Sequence, residues 1–199
     1  MHDTKYESPL YCPQRTFSQL LQARRLSDDM ACILYNAKAL IDLMVDFDEG
    51  TIEEADFNIT LRHIRAELGC HISAQAPQNN PNWNWIFECC RLTVVIMLKA
   101  IETPQPLLLT DSAHTLSLVE ALEKTDIGGC WGELSGVLYW VSMVGSASSQ
   151  GRPGHGLLNS TLGRTMSEMA FMSSDFRSAV EPVQQFSRLQ IALKRRSQG

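Results

Sequence analysis

WNWIFECCRLTVVIMLKAIET, Trp83 to Thr103, joins two tryptophans, adjacent cysteines and a Glu/Arg couple to an apolar run, and its reading decides the fold. From Trp85 to Glu102 only Glu88, Arg91, Lys99 and Glu102 are charged. A helix patterned in this way is apolar on most sides and belongs among other helices. A membrane span needs about 20 predominantly apolar residues. The uncharged run Leu92 to Leu98 is far shorter, and Glu88 and Arg91 stand just ahead of it. Val94, Val95 and Ile96 would also suit a buried strand, but the continuous pattern from Trp85 favours a central core helix. Glu88 and Arg91 are three apart, share a face and can pair. A partly buried structural ion pair is the plain reading; a working acid and base is the sharper one.

The same period recurs outward from this segment. Ser27 is placed to cap a helix with Asp28 and Asp29 in its first turn, and Met30, Ile33, Leu34, Ala37, Leu40, Ile41 and Met44 line one face. A shorter helix over Phe17 to Leu26 precedes it. Thr51 and Glu54 make a T-x-x-E capping box, and Phe57, Leu61, Ile64 and Leu68 continue one face to a stop at Gly69. SAQAPQNNPN, Ser73 to Asn82, is a polar, proline-broken loop. Ser112 starts a helix carrying Leu116, Val119 and Leu122. Trp131, Leu134, Leu138, Val141 and Val144 mark a second central helix, whose interleaved Gly136, Ser142, Gly145, Ser146 and Ala147 let a neighbour approach closely. A helix from Leu157 carries Leu158, Leu162, Met166 and Met169. The last, Phe176 to Arg195, carries Val180, Val183, Phe186 and Leu193, with a kink or break at Pro182. These patterns predict one all-α domain, residues 16–199, of seven or eight helices around two apolar central ones, behind an N-terminal polar segment, residues 1–15.

With 199 residues, 44% of them hydrophobic, the chain can bury a sizeable core. Its formal net charge of −5 gives no general attraction for nucleic acid or an anionic membrane. The one basic cluster, LKRR (Leu193 to Arg196), reads as a helix end with cations facing the dipole. The N-terminus lacks the apolar core of a secretory signal and the Arg-rich look of a transit peptide, so an intracellular protein, nuclear or cytoplasmic, is expected. Six cysteines, Cys12, Cys32, Cys70, Cys89, Cys90 and Cys130, contain no C-x-x-C pair, which argues against structural zinc. They read as small hydrophobes rather than as a disulfide framework. No metal and no cofactor is expected.

Candidate site residues are few. GRPGHG, Gly151 to Gly156, has the glycines to turn tightly against a ligand and feeds the helix near Leu157, whose free amides favour an anion or a carbonyl oxygen. There Arg152 is a candidate clamp for an acidic group, and His155 a candidate proton exchanger near neutral pH. The plain reading of the loop is an exposed hinge. Trp83, Trp85, Trp131 and Trp140 suit a helical core, and the same residues would line an aromatic ligand pocket. His63, His71 and His114 read as surface or helix-boundary residues. Glu88 and Arg91 complete the catalytic candidates. No G-x-S-x-G, P-loop, dinucleotide fingerprint or H-E-x-x-H is present.

Three features in order resemble the helical regulatory domain of fungal zinc-cluster transcription factors. They are Trp85-x-x-Glu88-x-x-Arg91-Leu92 opening an apolar helix, LVEAL (Leu118 to Leu122), and Trp131 followed by GVLYWVSMVGSAS (Gly136 to Ser148). The resemblance covers Ser27 to Phe171. It implies an effector-sensing or partner-binding regulator of transcription, commonly dimeric and nuclear, often tied to metabolic or secondary-metabolite gene clusters. The family's six-cysteine DNA-binding cluster is absent, because the cysteines here are spread from Cys12 to Cys130, so direct nucleic-acid binding is not expected. The partners implied are a small-molecule effector or substrate and a protein partner or second copy, with no membrane. A second function class stays open: a secondary-metabolite enzyme of cyclase, isomerase or dehydratase type using a pocket in the same scaffold, through orientation and acid/base help.

Overall fold

Ser27 caps the longest helix through its hydroxyl, which accepts from the Met30 amide at 3.2 Å. The computed structural model describes residues 4–24, 26–72, 84–129, 131–173 and 176–198. Among these are eight α-helices and no strand: α1 (Ser18–Arg24), α2 (Asp28–Asp48), α3 (Glu54–Ile72), α4 (Trp85–Glu102), α5 (Ser112–Glu123), α6 (Ser135–Ser149), α7 (His155–Met172) and α8 (Arg177–Arg196). The fold is all-α, and one contiguous apolar core runs through it.

The two central helices are α4 and α6. Every residue of α4 from Glu88 to Leu98 is buried, and the strand alternative for Val94 to Ile96 is resolved as helix. Its N-cap is Asn84, whose side-chain oxygen accepts from the Phe87 amide at 3.0 Å. In α6 all residues but Ala147 are buried, and the helix packs on α7, α4 and α5. Its small residues do what their spacing predicts. A β-carbon on Gly145 would stand 2.7 Å from a Leu158 methyl of α7 and 3.1 Å from Leu118 of α5. The two neighbours therefore close onto α6 at one level, near the end that leads into the GRPGHG loop.

Several local expectations are corrected. Thr51 does not cap α3. Its hydroxyl donates to the Asp46 carbonyl at 2.8 Å and finishes α2 instead. Gly69 does not stop α3, which runs on to Ile72. Leu116, Met166 and Val183 turn outward, because the buried stripes run through Thr115, Leu118 and Leu122 in α5, through Leu158, Thr161, Thr165 and Met169 in α7, and through Pro182, Phe186 and Leu189 in α8. Pro182 sits in the second turn of α8 without ending it, since only the Ser178 carbonyl loses its i+4 donor there.

The segment ahead of α1 is buried from Tyr6 to Tyr11, although its composition reads as polar. Tyr6, Leu10 and Tyr11 are buried, and Ser8 and Tyr11 exchange backbone hydrogen bonds at 2.8 and 2.9 Å. At the other end, the last turn of α8 does more than face its own dipole. The Arg195 guanidinium meets the Asp48 carboxylate at 2.8 Å, and Arg196 lies 4.0 Å over the Phe57 ring, so α8 is tied back onto α2 and α3.

Candidate functional site

The loop 150–154 joins α6 to α7 in a turn that glycine alone satisfies at Gly154. Its φ is +83°, and a β-carbon there would meet Val119 at 2.4 Å. Because the chain turns so tightly, α7 begins at His155, two residues earlier than periodicity predicts, and His155 lands in the first helical turn beside the end of α6.

Arg152 and His155 then part company. The Arg152 guanidinium faces backbone carbonyls: Nη1 donates to Thr110 at 2.9 Å and Ser148 at 3.2 Å, and Nη2 to Leu108 at 2.6 Å. It closes the last turn of α6 and straps it to the turn before α5. These three bonds make Arg152 a tie between backbone segments. It borders a depression of about 300 Å³ with Ser112, Thr115, Leu116 and Pro153, none of which lines the hollow at His155.

His155 faces a groove of about 330 Å³ between α6, α7 and α8. Met143, Ala147, Leu162 and Phe186 form its apolar wall, while Ser146, Gln150 and Gln190 supply neutral polar groups. Among the described residues lining it, His155 is the one ionisable group. Its Nδ1 is 3.1 Å from the Ser149 hydroxyl, and that hydroxyl donates to the Ser146 carbonyl at 3.2 Å. A hydroxyl has one proton to give. With that proton on the carbonyl, Ser149 accepts from Nδ1–H and the neutral imidazole keeps a lone pair on Nε2; with it on Nδ1, the ring proton sits on Nε2. Ser149 itself is fully buried and engaged, so it positions the imidazole. The groove can therefore hold a small amphipathic molecule and offer it one imidazole nitrogen, an acceptor in the first arrangement and a donor in the second.

The other candidates lie elsewhere. Glu88 and Arg91 form a bidentate pair inside α4, with Nε to Oε2 at 2.8 Å and Nη2 to Oε1 at 2.6 Å, and they are 3% and 6% exposed. The pair is buried, and neither residue lines the groove. None of the three described tryptophans lines it either. Trp140 is wholly buried, Trp131 is buried with its ring N–H on Thr125 Oγ1 at 2.9 Å, and the Trp85 ring is covered by the Lys124 ammonium at 4.1 Å. Trp83 lies outside the described residues, as does Cys130.

His63 and His114 sit at the surface beside Glu67 and Asp111, and His71 sits between Asp29 and Phe87. Burial pushes the Cys89 and Cys90 thiols well up, in keeping with packing rather than reactivity. Among the described residues no group of three or more His, Cys, Asp or Glu side chains is placed to hold a metal ion, and no helix is long and apolar enough to cross a membrane. A wider hollow between Leu10 and α8 is lined largely by polar residues of that one helix, with its Arg188 engaged by Glu49.

Sequence reasoning found His155 but not Ser149 as its orienting partner, nor Phe186 and Gln190, which reach the groove from α8. Nothing in the linear pattern marks those two. Compared with protein-family models, curated proteins and solved structures, the chain matches none.

Proposed function

We propose that this chain is an effector-binding regulatory domain of the kind its sequence resembles in fungal zinc-cluster transcription factors, working without a DNA-reading part and serving a metabolic or secondary-metabolite gene cluster. Its effector is a small, uncharged, largely apolar molecule with one hydroxyl or enol group, bound between α6, α7 and α8. The carrying observation is the groove beside His155: an apolar wall, neutral polar groups, and a single imidazole held at Nδ1 by Ser149. A charged ligand would lose its hydration against Met143, Leu162 and Phe186 without an opposite charge to replace it. A phenol or enol keeps its apolar body on that wall and donates its O–H to the ring. The volume lies at the lower end of small-molecule sites, which fits a ligand of one or two rings.

The same imidazole supports the enzymatic reading. A neutral His155 with Nε2 free can take a proton from an enol or hydroxyl held on it, the step that an isomerising, cyclising or dehydrating enzyme of secondary metabolism requires.

Native mass spectrometry of the protein purified from its own organism tests both. A retained neutral metabolite released unchanged supports the regulator, and the same compound converted on incubation supports the enzyme. A retained polyanion or nucleic acid, or ligand-induced amide NMR shifts that spare residues 143–150 and 186–190, would sink the groove as the site.

A further inference from the structure

We infer that Cys32 of α2 and Cys70 of α3 form a reversible intramolecular disulfide when a hydroperoxide oxidises the protein, which makes the open end of the α2–α3 hairpin a redox-modification site. The inference is independent of the groove and its ligand.

The register of the two helices carries it. Phe47 stacks on Phe57 near the connecting turn, with ring centroids 4.6 Å apart. At the far end the Cys32 sulfur lies 3.9 Å from the Glu67 carbonyl, and an Asp29 carboxylate oxygen lies 3.8 Å from His71 Nε2. The helices are therefore antiparallel, and Cys70 falls in sequence between Glu67 and His71, which α2 touches at this end. A helical carbonyl points along the axis toward the amide four residues on, so the Glu67 oxygen in contact with Cys32 is already at the level of Cys70. A disulfide spans α-carbons about 4.4–6.8 Å apart, and the contact of the Cys32 sulfur with the backbone of the α3 turn that carries Cys70 sets the two residues side by side on adjoining helices. The thiols also sense one another: after burial, a thiolate at Cys70 is among the charges that raise the Cys32 pKa.

The two cysteines are unequal in a way that suits sequential chemistry. Cys70 is exposed, and Cys32 is half-covered with the Asn36 side-chain N–H on its sulfur at 3.4 Å. The Cys70 thiolate attacks the terminal peroxide oxygen, the O–O bond breaks, and the alcohol leaves with the thiol's proton, giving a sulfenic acid. The Cys32 sulfur then attacks the Cys70 sulfur. The S–S bond forms, the S–O bond breaks, and hydroxide leaves as water with the Cys32 proton. In sum two thiols lose two electrons, and the hydroperoxide becomes an alcohol and water. The product ties the first turns of α2 to the last turn of α3, and reduction by a dithiol restores both thiols.

The test oxidises the full-length protein with stoichiometric hydrogen peroxide, alkylates the remaining thiols, and maps peptides without reduction. The expected result is an intact chain lighter by two hydrogens, a cross-linked peptide pair bearing Cys32 and Cys70, and a melting temperature raised by about 5 °C or more that dithiothreitol reverses. In Cys32→Ser the same dose should leave Cys70 as a sulfenic acid that dimedone traps. If Cys32 in the wild-type protein stays fully alkylatable after oxidation, or Cys70 is found joined to a different cysteine or over-oxidised as fast as in Cys32→Ser, the pairing is wrong.

Discussion

The carbonyl oxygen of Tyr6 lies 2.1 Å from where a β-carbon would stand on Gly136. The N-terminal segment thus rests directly on the backbone of α6, and the contact is backbone against backbone. At Gly145 the neighbours are instead the ends of leucine side chains. Two glycines of one helix are therefore constrained for different reasons.

From this difference Gly136→Ala should cost more than Gly145→Ala. Leucine methyls at Gly145 can rotate away at about 1–3 kcal/mol, partly offset by the better helix propensity of alanine. The Tyr6 carbonyl cannot rotate, so Gly136→Ala should lift the segment ahead of α1 and open it to limited proteolysis. Equal melting temperatures and unchanged cleavage near Tyr6 and Tyr11 in the two variants would contradict this.

The Glu88 and Arg91 pair should behave as a unit. Arg91→Met leaves a buried carboxylate without its guanidinium, a loss of about 3–5 kcal/mol. Glu88→Leu combined with Arg91→Met removes both charges and should recover most of that loss. Urea denaturation of the single and double variants decides it. If Arg91→Met melts normally while ligand binding or turnover disappears, the pair works in a site.

Arg152 should prove a stability residue. Arg152→Ala removes hydrogen bonds from a charged donor to the Leu108, Thr110 and Ser148 carbonyls, which predicts a loss of about 1–3 kcal/mol. Lysine, lacking the planar fork, should restore only part of it. His155→Ala, at a groove edge, should stay within about 0.5 kcal/mol of the wild type. Thermal melts that rank the two alanine variants in the opposite order would count against the strap.

Ser149→Ala should change which nitrogen of His155 carries the proton. In the wild type at alkaline pH, long-range ¹H–¹⁵N spectra should show the proton on Nδ1, the tautomer in which the Ser149 oxygen accepts from the ring and donates to the Ser146 carbonyl. Removing the hydroxyl should admit the Nε2–H tautomer and weaken binding of a phenolic ligand, which then meets a donor in place of an acceptor. A wild-type spectrum dominated by Nε2–H would refute the assigned geometry.

Helical period, caps and the apolar character of α4 and α6 are local properties, so residues close in sequence determined them. Met30 to Met44 on one face of α2, Ser27 as its cap and the small residues of α6 needed no knowledge of neighbours. Where a segment had two local solutions, tertiary packing chose between them. Thr51 could bond forward to α3 or back to α2 and bonds back. Leu116, Met166 and Val183 are apolar but lie exposed among the described residues. The site shows the same division. His155 stands out by its glycine-rich setting, yet its role depends on Ser149 across the loop and on Phe186 and Gln190 of α8. Arg152, drawn from the same six residues, ties backbone segments through the carbonyls of Leu108 and Thr110, which only the folding of α5 and α6 against each other brings within reach. Periodicity encodes which face of a helix is buried, and only the packed chain decides what that face meets.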